Sequence, residues 1–282
     1  MTPPPLPAVM TEPLVRAALL EDLGRAGDIT TDAIVPPQAQ AETALVARQA
    51  GVVAGLDIAL QAFRLLDPAI RTEIARADGS RIARGDTIAV LTGPVRGMLS
   101  AERVALNFLC HLSGIASATA SVVESIRGHR AHVVCTRKTL PGLRAVQKYA
   151  IRVGGGFNHR FGLDDGVLIK DNHVAAAGSI REAVARARAA IGHLVKLELE
   201  VDTLAQLEEA LDLRVDAVLL DNMSLEEMRR AVALVNGRAL TEASGRITPE
   251  TAPQVAATGV DLLSSGALTH SSRTLDIGLD WR

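Results

Sequence analysis

Between residues 137 and 170 stand seven basic side chains, Arg137, Lys138, Arg144, Lys148, Arg152, Arg160 and Lys170, together with His159, against only Asp164 and Asp165. A guanidinium offers a planar fork that matches carboxylate or phosphate bidentately. A cluster such as Arg137, Arg160 and a lysine therefore suits a ligand carrying more than one anionic group. Arg144, Lys148 and Arg152 recur at every fourth position and are expected to form one solvated helical face. The opposite sign follows downstream. Along Lys196-Leu197-Glu198-Leu199-Glu200-Val201 the alternation puts Lys196, Glu198 and Glu200 on one side of an extended segment. Buried carboxylates need a cation or a metal. Glu198 is expected to pair with Lys196, whereas Glu200 and Asp221 are candidates for ligand hydroxyls or Mg²⁺, an ion held by one or two carboxylates plus substrate phosphates.

Glycines supply the remaining chemistry. Gly154-Gly155-Gly156 precedes Phe157-Asn158-His159-Arg160 and permits unusual backbone angles or close approach of a ligand, but it matches neither GxGxxG nor the P-loop. Ser244-Gly245 and Ser265-Gly266-Ala267 are better placed to hold a phosphate on backbone amides.

The elements that must position these residues can be read from periodicity. From Ala131 onward, short aliphatic runs alternate with amphipathic helical segments, the pattern of parallel strands joined by crossover helices. The expected strands are His132–Thr136, Gly166–Lys170, Leu194–Val201, Asp216–Asp221, Ala239–Glu242 and Asp261–Ser264. Helix starts between them carry capping-box pairs, Ser179 with Glu182, Thr203 with Gln206 and Ser224 with Glu227. Six such steps predict an incomplete parallel α/β barrel over residues 113–271. In barrels of this kind the active site lies at the carboxyl ends of the strands, which here deliver Arg137 and Lys138, Lys170, Glu200, Asp221, Ser244-Gly245 and Ser265-Gly266 to one rim. Residues 1–112 read as a smaller α+β domain: a Pro-rich arm, a helix near Pro13–Asp22, and short strands with turns such as Asp78-Gly79. The tail 272–282 is expected to pack back on it. A helix beginning near Ser100 carries Val104, Phe108 and Leu112 on one face and Arg103, Asn107 and His111 on another. That polar stripe is either solvated, or Arg103 reaches a pocket in this chain or a partner's.

Composition sets the limits. The 282 residues carry a net charge of -2 and 48% hydrophobic residues, enough for a folded core, but only 2% aromatics. Few stacking surfaces and a negative balance argue against nucleic acid. The uncharged stretch Ala105–Val123 contains Asn107, His111, Ser113 and Gly114, which argues against a membrane span. No basic segment precedes an apolar run at the N-terminus, and Cys110 and Cys135 form no metal or disulfide pattern; a cytoplasmic location is expected. Only four lysines occur, Lys138, Lys148, Lys170 and Lys196, all in one central stretch.

Thr136-Arg137-Lys138-Thr139 with Pro141-Gly142-Leu143-Arg144, Gly154 to Arg160, and Leu163-Asp164-Asp165-Gly166-Val167-Leu168-Ile169-Lys170-Asp171-Asn172-His173 closely resemble the quinolinate phosphoribosyltransferases. Glu21 to Gly24 with Gly27 to Thr30, Glu102-Arg103, Leu219 to Met223, Glu242 to Gly245 and Gly266 to Ser271 extend the resemblance over nearly the whole chain. It implies transfer of the phosphoribosyl group of phosphoribosyl pyrophosphate to the ring nitrogen of quinolinate, releasing carbon dioxide and pyrophosphate and giving nicotinate mononucleotide for NAD synthesis. By the same resemblance, Arg103 from a neighbouring subunit, Arg137, His159, Arg160 and Lys170 would hold the quinolinate carboxylates, and Lys138 would meet the pyrophosphate. Glu200 and Asp221 would contact ribose hydroxyls and Mg²⁺, directly or through water, and Ser244, Gly245, Ser265 and Gly266 would cradle the 5′-phosphate. Thr136, Arg246 and Ala267 complete the expected substrate contacts; Lys138, Lys170, Glu200 and Asp221 are the expected catalytic group. Family members are dimers or larger, and a homodimer or hexamer sharing its sites is implied. The sequence departs from the family's pattern at Arg246, where a small residue is usual and an outward-pointing side chain is the alternative, at Cys135 and at Leu140. Three rival readings are a paralogue associated with molybdenum transport, a Schiff-base aldolase using Lys170, and a non-catalytic anion-binding barrel.

Overall fold

Helix and strand follow the sequence periodicities through most of the computed structural model, which describes residues 3–282; Met1 and Thr2 of the Pro-rich arm lie outside that range. After the arm come α1 (Ala8–Leu23), α2 (Ile29–Ile34), β1 (Gln40–Ala47), β2 (Gly51–Val52), α3 (Leu56–Leu66), β3 (Arg71–Ile74), β4 (Arg81–Ile82), β5 (Thr87–Pro94) and α4 (Val95–Ser125). The alternating part follows as β6 (His132–Val134), α5 (Arg144–Val153), β7 (Val167–Ile169), α6 (Asp171–Ala177), α7 (Ile180–Ala190), β8 (Leu197–Val201), α8 (Leu204–Asp212), β9 (Ala217–Asp221), α9 (Leu225–Val235), β10 (Leu240–Ser244), α10 (Ala252–Ala256), β11 (Leu262–Ser264), α11 (Ala267–His270) and β12 (Ile277–Trp281). The chain divides into two units. One is built from the residues up to Ala120 with Ala145–Gly155 and Ser271–Arg282, the other from Ser121–Arg144 and Gly156–His270. The boundary expected from sequence at residue 112 falls inside α4, and almost all of α5 is counted with the first unit.

In the first unit an antiparallel sheet runs β12-β1-β5-β3. β12 pairs with β1 in the register Leu45↔Leu279, so the C-terminal tail supplies an edge strand. The core is aliphatic, with Leu45, Leu60, Ile88 and Leu91 fully buried around Phe63. Asp78 starts α3 by accepting the free amides of Gly55 at 2.8 Å and Leu56 at 3.0 Å, and it takes a third hydrogen bond from the Tyr149 hydroxyl at 2.8 Å. α4 is long and apolar enough to cross a membrane by length and composition alone, but its Leu109, Leu112 and Ile115 are fully buried within the protein. A Cβ on Gly154 would lie 2.7 Å from Thr119 Cβ on α4. This glycine serves close packing, not a ligand.

The second unit is a parallel sheet in the order β6-β11-β10-β9-β8-β7. Among the described residues no strand joins β7 to β6, so the barrel is incomplete. Its strands are short aliphatic runs with buried Leu197, Leu199, Val218, Leu220 and Leu263, as parallel sheets covered by helices require. The capping pairs do their expected work. Thr203 with Gln206 and Ser224 with Glu227 exchange bonds reciprocally, and Ser179 accepts from the Glu182 amide. The register is what matters for chemistry. Glu200 and Glu242 both pair laterally with Leu219, and Asp221 with Ser244, which in turn pairs with Ser264. Lateral partners in a sheet project to one face. The face that carries Glu198, Glu200, Asp221, Glu242 and Ser244 is therefore polar where a barrel interior is usually aliphatic.

Candidate active site

The site in the second unit is built from strand ends and the segments that follow them. β6 ends at Val134, and the chain then turns tightly: the Lys138 amide donates to Thr136 Oγ1 at 3.0 Å, and Thr269 Oγ1 donates to the Lys138 carbonyl at 2.7 Å. Gly266, just after β11, makes this possible. A Cβ there would meet Lys138 Cδ at 2.8 Å and Thr136 Oγ1 at 3.2 Å. Thr136, Lys138 and Gly266 are thus brought together as the strand-end rule requires. Ser265 is buried, and its hydroxyl donates to the Ile247 carbonyl at 3.3 Å, tying the loop after β11 to the loop after β10.

Two guanidinium groups face the same region. Arg160 donates from Nη1 to the Gly166 carbonyl at 2.8 Å. Burial, and then the neighbouring Arg137 charge, push its pKa below the ordinary arginine range. Arg137 Nε is buried with no hydrogen-bond partner. Two like charges that bear on one another, one with an unused buried donor, have the chemistry to accept an anion.

His159 connects this basic side to the carboxylates. Its Nε2 lies 2.8 Å from Glu198 Oε2 and 3.7 Å from Glu242 Oε2. Its Nδ1 accepts the Arg160 backbone amide at 2.7 Å. An accepting Nδ1 leaves the ring proton on Nε2, which then donates to Glu198. Glu242 is only 2% exposed, and its pKa is pushed up to about 7 by burial and by the adjacent Glu198 carboxylate. Glu200 stands beside Lys170 in an ion pair; the lysine side chain is half exposed and that of Glu200 mostly buried. This is not the apolar setting that makes a Schiff-base lysine nucleophilic. Asp221 closes β9 and accepts from Asn222 Nδ2 at 2.8 Å. Asn222 is left-handed, with φ 52°, and a Cβ on Gly245 would come within 3.0 Å of its Oδ1.

Several expectations need correction. Glu198 does not pair with Lys196. The lysine lies before the start of β8 with its side chain in solvent, and it bonds Asp216 at 2.5 Å. The alternation is sound but begins one residue too late to include it. The helical face of Arg144, Lys148 and Arg152 is not solvated as a whole: Lys148 is 2% exposed, and Arg144 turns back to donate to Thr139 Oγ1 at 3.1 Å and to the Phe161 carbonyl at 3.1 Å. Only Arg152 is exposed. Arg103, Asn107 and His111 lie on α4 in the first unit, with Arg103 exposed and His111 bonded to Gln147 at 2.9 Å. Arg246 is exposed and left-handed, with φ 47°, and Ala267 opens α11. Sequence reasoning treats Glu242 only as a strand end and so does not bring it beside His159, where the structure places it. The signal available was strand alternation, which puts Glu242 on the same face as Ser244.

The chain matches the family models for the quinolinate phosphoribosyl transferase N-terminal domain over residues 28–113 and C-terminal domain over residues 115–280. It is 47% identical to the nicotinate-nucleotide pyrophosphorylase [carboxylating] of Mycobacterium leprae, covering 94% of this chain and 95% of that one. Among solved structures it is similar to NadC from Streptococcus pyogenes, with a TM-score of 0.95 and 44% identity over 99% of this chain and 100% of the other. The nicotinate-nucleotide pyrophosphorylase from Francisella tularensis gives a TM-score of 0.94 and 37% identity over 99% and 98% of the two chains.

Proposed function

The chain belongs to the quinolinate phosphoribosyltransferase family, and on that premise we infer that it joins quinolinate to phosphoribosyl pyrophosphate, giving nicotinate mononucleotide, carbon dioxide and pyrophosphate for NAD synthesis. The observation that carries this reading is the Arg137–Arg160 pair with its unpartnered buried donor. A pyridine dicarboxylate offers the paired anions that such donors accept.

In this reading Arg137, His159, Arg160 and Lys170 hold the quinolinate carboxylates and present the ring nitrogen to the ribose carbon, an advantage of positioning. Lys138 neutralises the departing pyrophosphate. Departure leaves positive charge on the ribose, which the Glu200 and Asp221 carboxylates stabilise while contacting its hydroxyls. Alkylation of the nitrogen makes the ring a cation, so the electron pair of the breaking carbon–carboxylate bond is held on the adjacent carbon until a proton arrives. Ser244, Gly245, Ser265, Gly266 and Ala267, with Thr136 and Arg246 at the margin, cradle the 5′-phosphate. Glu200 and Asp221 are hard oxygen donors at adjacent strand ends and fit Mg²⁺. When bound, the ion would neutralise phosphate charge and assist the leaving group. A cytoplasmic homo-oligomer in which Arg103 serves a partner's site completes the proposal. The test is turnover of quinolinate with phosphoribosyl pyrophosphate and magnesium, read as stoichiometric carbon dioxide and nicotinate mononucleotide. Pure, folded protein that releases neither would sink it in favour of an anion-binding barrel.

A further inference from the structure

The segment from Phe157 to Gly166 carries both His159 and Arg160 yet has almost no regular structure. At its start the bridge Val134↔Phe157 ties it to the sheet. Near its far end, Asp165 accepts the amides of Phe161 at 2.6 Å and Gly162 at 2.8 Å. Between these ties the backbone is held through a side chain. Glu198, fixed on β8, accepts His159 Nε2–H; His159 Nδ1 accepts the Arg160 amide; and Arg160 Nη1 bonds the Gly166 carbonyl. Ordering such a segment costs conformational entropy at every residue, so a buried contact from the middle of it to rigid sheet has leverage over its neighbours. Glu198 is nine-tenths buried, and its second oxygen, Oε1, has no partner. A half-satisfied buried carboxylate does little for stability by itself.

The composition of His159, Glu198 and Glu242, with ligand atoms within 4.8 Å of one another, also suits a metal ion. The ring geometry argues otherwise. With Nδ1 accepting the Arg160 amide, Nε2 bears the proton and has no lone pair to offer toward the carboxylates.

We propose that Glu198 is a positioning residue for the dicarboxylate substrate, acting through His159 to fix the ring tautomer and, with it, the backbone that aims Arg160. The inference rests on the quinolinate reading for its substrate but not for its geometry. Glu198→Ala should raise KM for quinolinate about tenfold or more, the loss expected of a hydrogen bond to a charged group. KM for phosphoribosyl pyrophosphate should stay within about twofold. Glu198→Gln, whose carbonyl oxygen accepts the same proton, should recover most of the quinolinate affinity. A purely structural role would instead weaken both substrates alike, whatever the change in melting temperature. Equal rises in both KM values, an unchanged quinolinate KM in Glu198→Ala, or a Gln variant as defective as Ala would overturn the proposal. Nitrogen NMR of the His159 ring supplies a readout independent of turnover and of the alanine variant's folding: the Nε2–H tautomer should dominate in the wild type and in Glu198→Gln. A dominant Nδ1–H form in the wild type overturns the positioning role even in active enzyme. A wild type that shows the expected tautomer but no turnover strikes the quinolinate reading instead.

Discussion

Glu242 Oε2 lies 3.7 Å from His159 Nε2, deep in the parallel sheet, on a side chain that is only 2% exposed. Burial and Glu198 raise its pKa to about 7, against 4.5 for an ordinary glutamate. The folded protein therefore keeps this proton where the unfolded chain has lost it. Its contribution to stability is complete below pH 4.5 and disappears as pH rises toward about 7. Glu242→Gln, which mimics the protonated form, removes that dependence. In thermal unfolding from pH 5 to 8, the melting temperature of the variant should gain on the wild type as pH rises. Parallel curves would refute the raised pKa.

Lys170 is paired with Glu200 at a half-exposed position, where an ion pair contributes about 0–1 kcal/mol to stability. Lys170→Arg keeps the charge but replaces a compact ammonium with a planar fork. Turnover should fall about a hundredfold or more, with the melting temperature shifted by no more than about 2 °C; near-normal turnover would remove Lys170 from the mechanism. If Arg103 serves a partner's site, inactive Arg103→Ala and Lys170→Ala chains should regain partial activity when mixed. Silence after confirmed subunit exchange would count against sharing.

The contact between Gly266 and Lys138 makes a separate forecast. A methyl at 266 would press on Lys138 Cδ at 2.8 Å, the flexible part of that side chain, and on Thr136 Oγ1 at 3.2 Å. Gly266→Ala should therefore fold normally while displacing Lys138. Activity should drop about tenfold or more, since small misplacements near the chemistry cost that much. Circular dichroism with steady-state kinetics separates the two effects.

Arg246 holds a left-handed conformation with φ 47°, which costs a residue with a side chain about 1–2 kcal/mol. Arg246→Gly should relieve this, with part of the gain offset by glycine's greater freedom in the unfolded chain. A net stabilisation of about 0.5–1 kcal/mol, or roughly 2 °C in melting temperature, is expected. If Arg246 also touches a phosphate, KM for phosphoribosyl pyrophosphate rises in the same variant.

The parallel sheet was legible because strand and crossover helix differ in period and the helix starts carry hydroxyl and acid signals. The site's rim was legible for a related reason: chain direction alone decides which strand ends share a mouth. What could not be read was lateral pairing. Glu198 and Lys196 are neighbours in any alternation, but which group meets Glu198 depends on where β8 begins and on where an irregular segment forty residues earlier sets His159. Lys148 failed similarly. Recurrence at every fourth position describes a helix face and does not say whether that face meets water or protein.

The division of the chain carries a consequence for anyone who would take the protein apart. Neither unit is a continuous stretch of sequence: residues 145–155 and β12 belong with the N-terminal part although the second unit lies between them and the rest of it. Cutting at the natural-looking boundary after residue 112 would strip β1 of its partner β12 and remove Tyr149, which donates to Asp78 at the start of α3. The N-terminal fragment would be left with a raw sheet edge prone to pairing with other copies. Residues 1–112 expressed alone should therefore self-associate instead of folding as a monomer, so an N-terminal fragment needs β12 and residues 145–155 supplied with it.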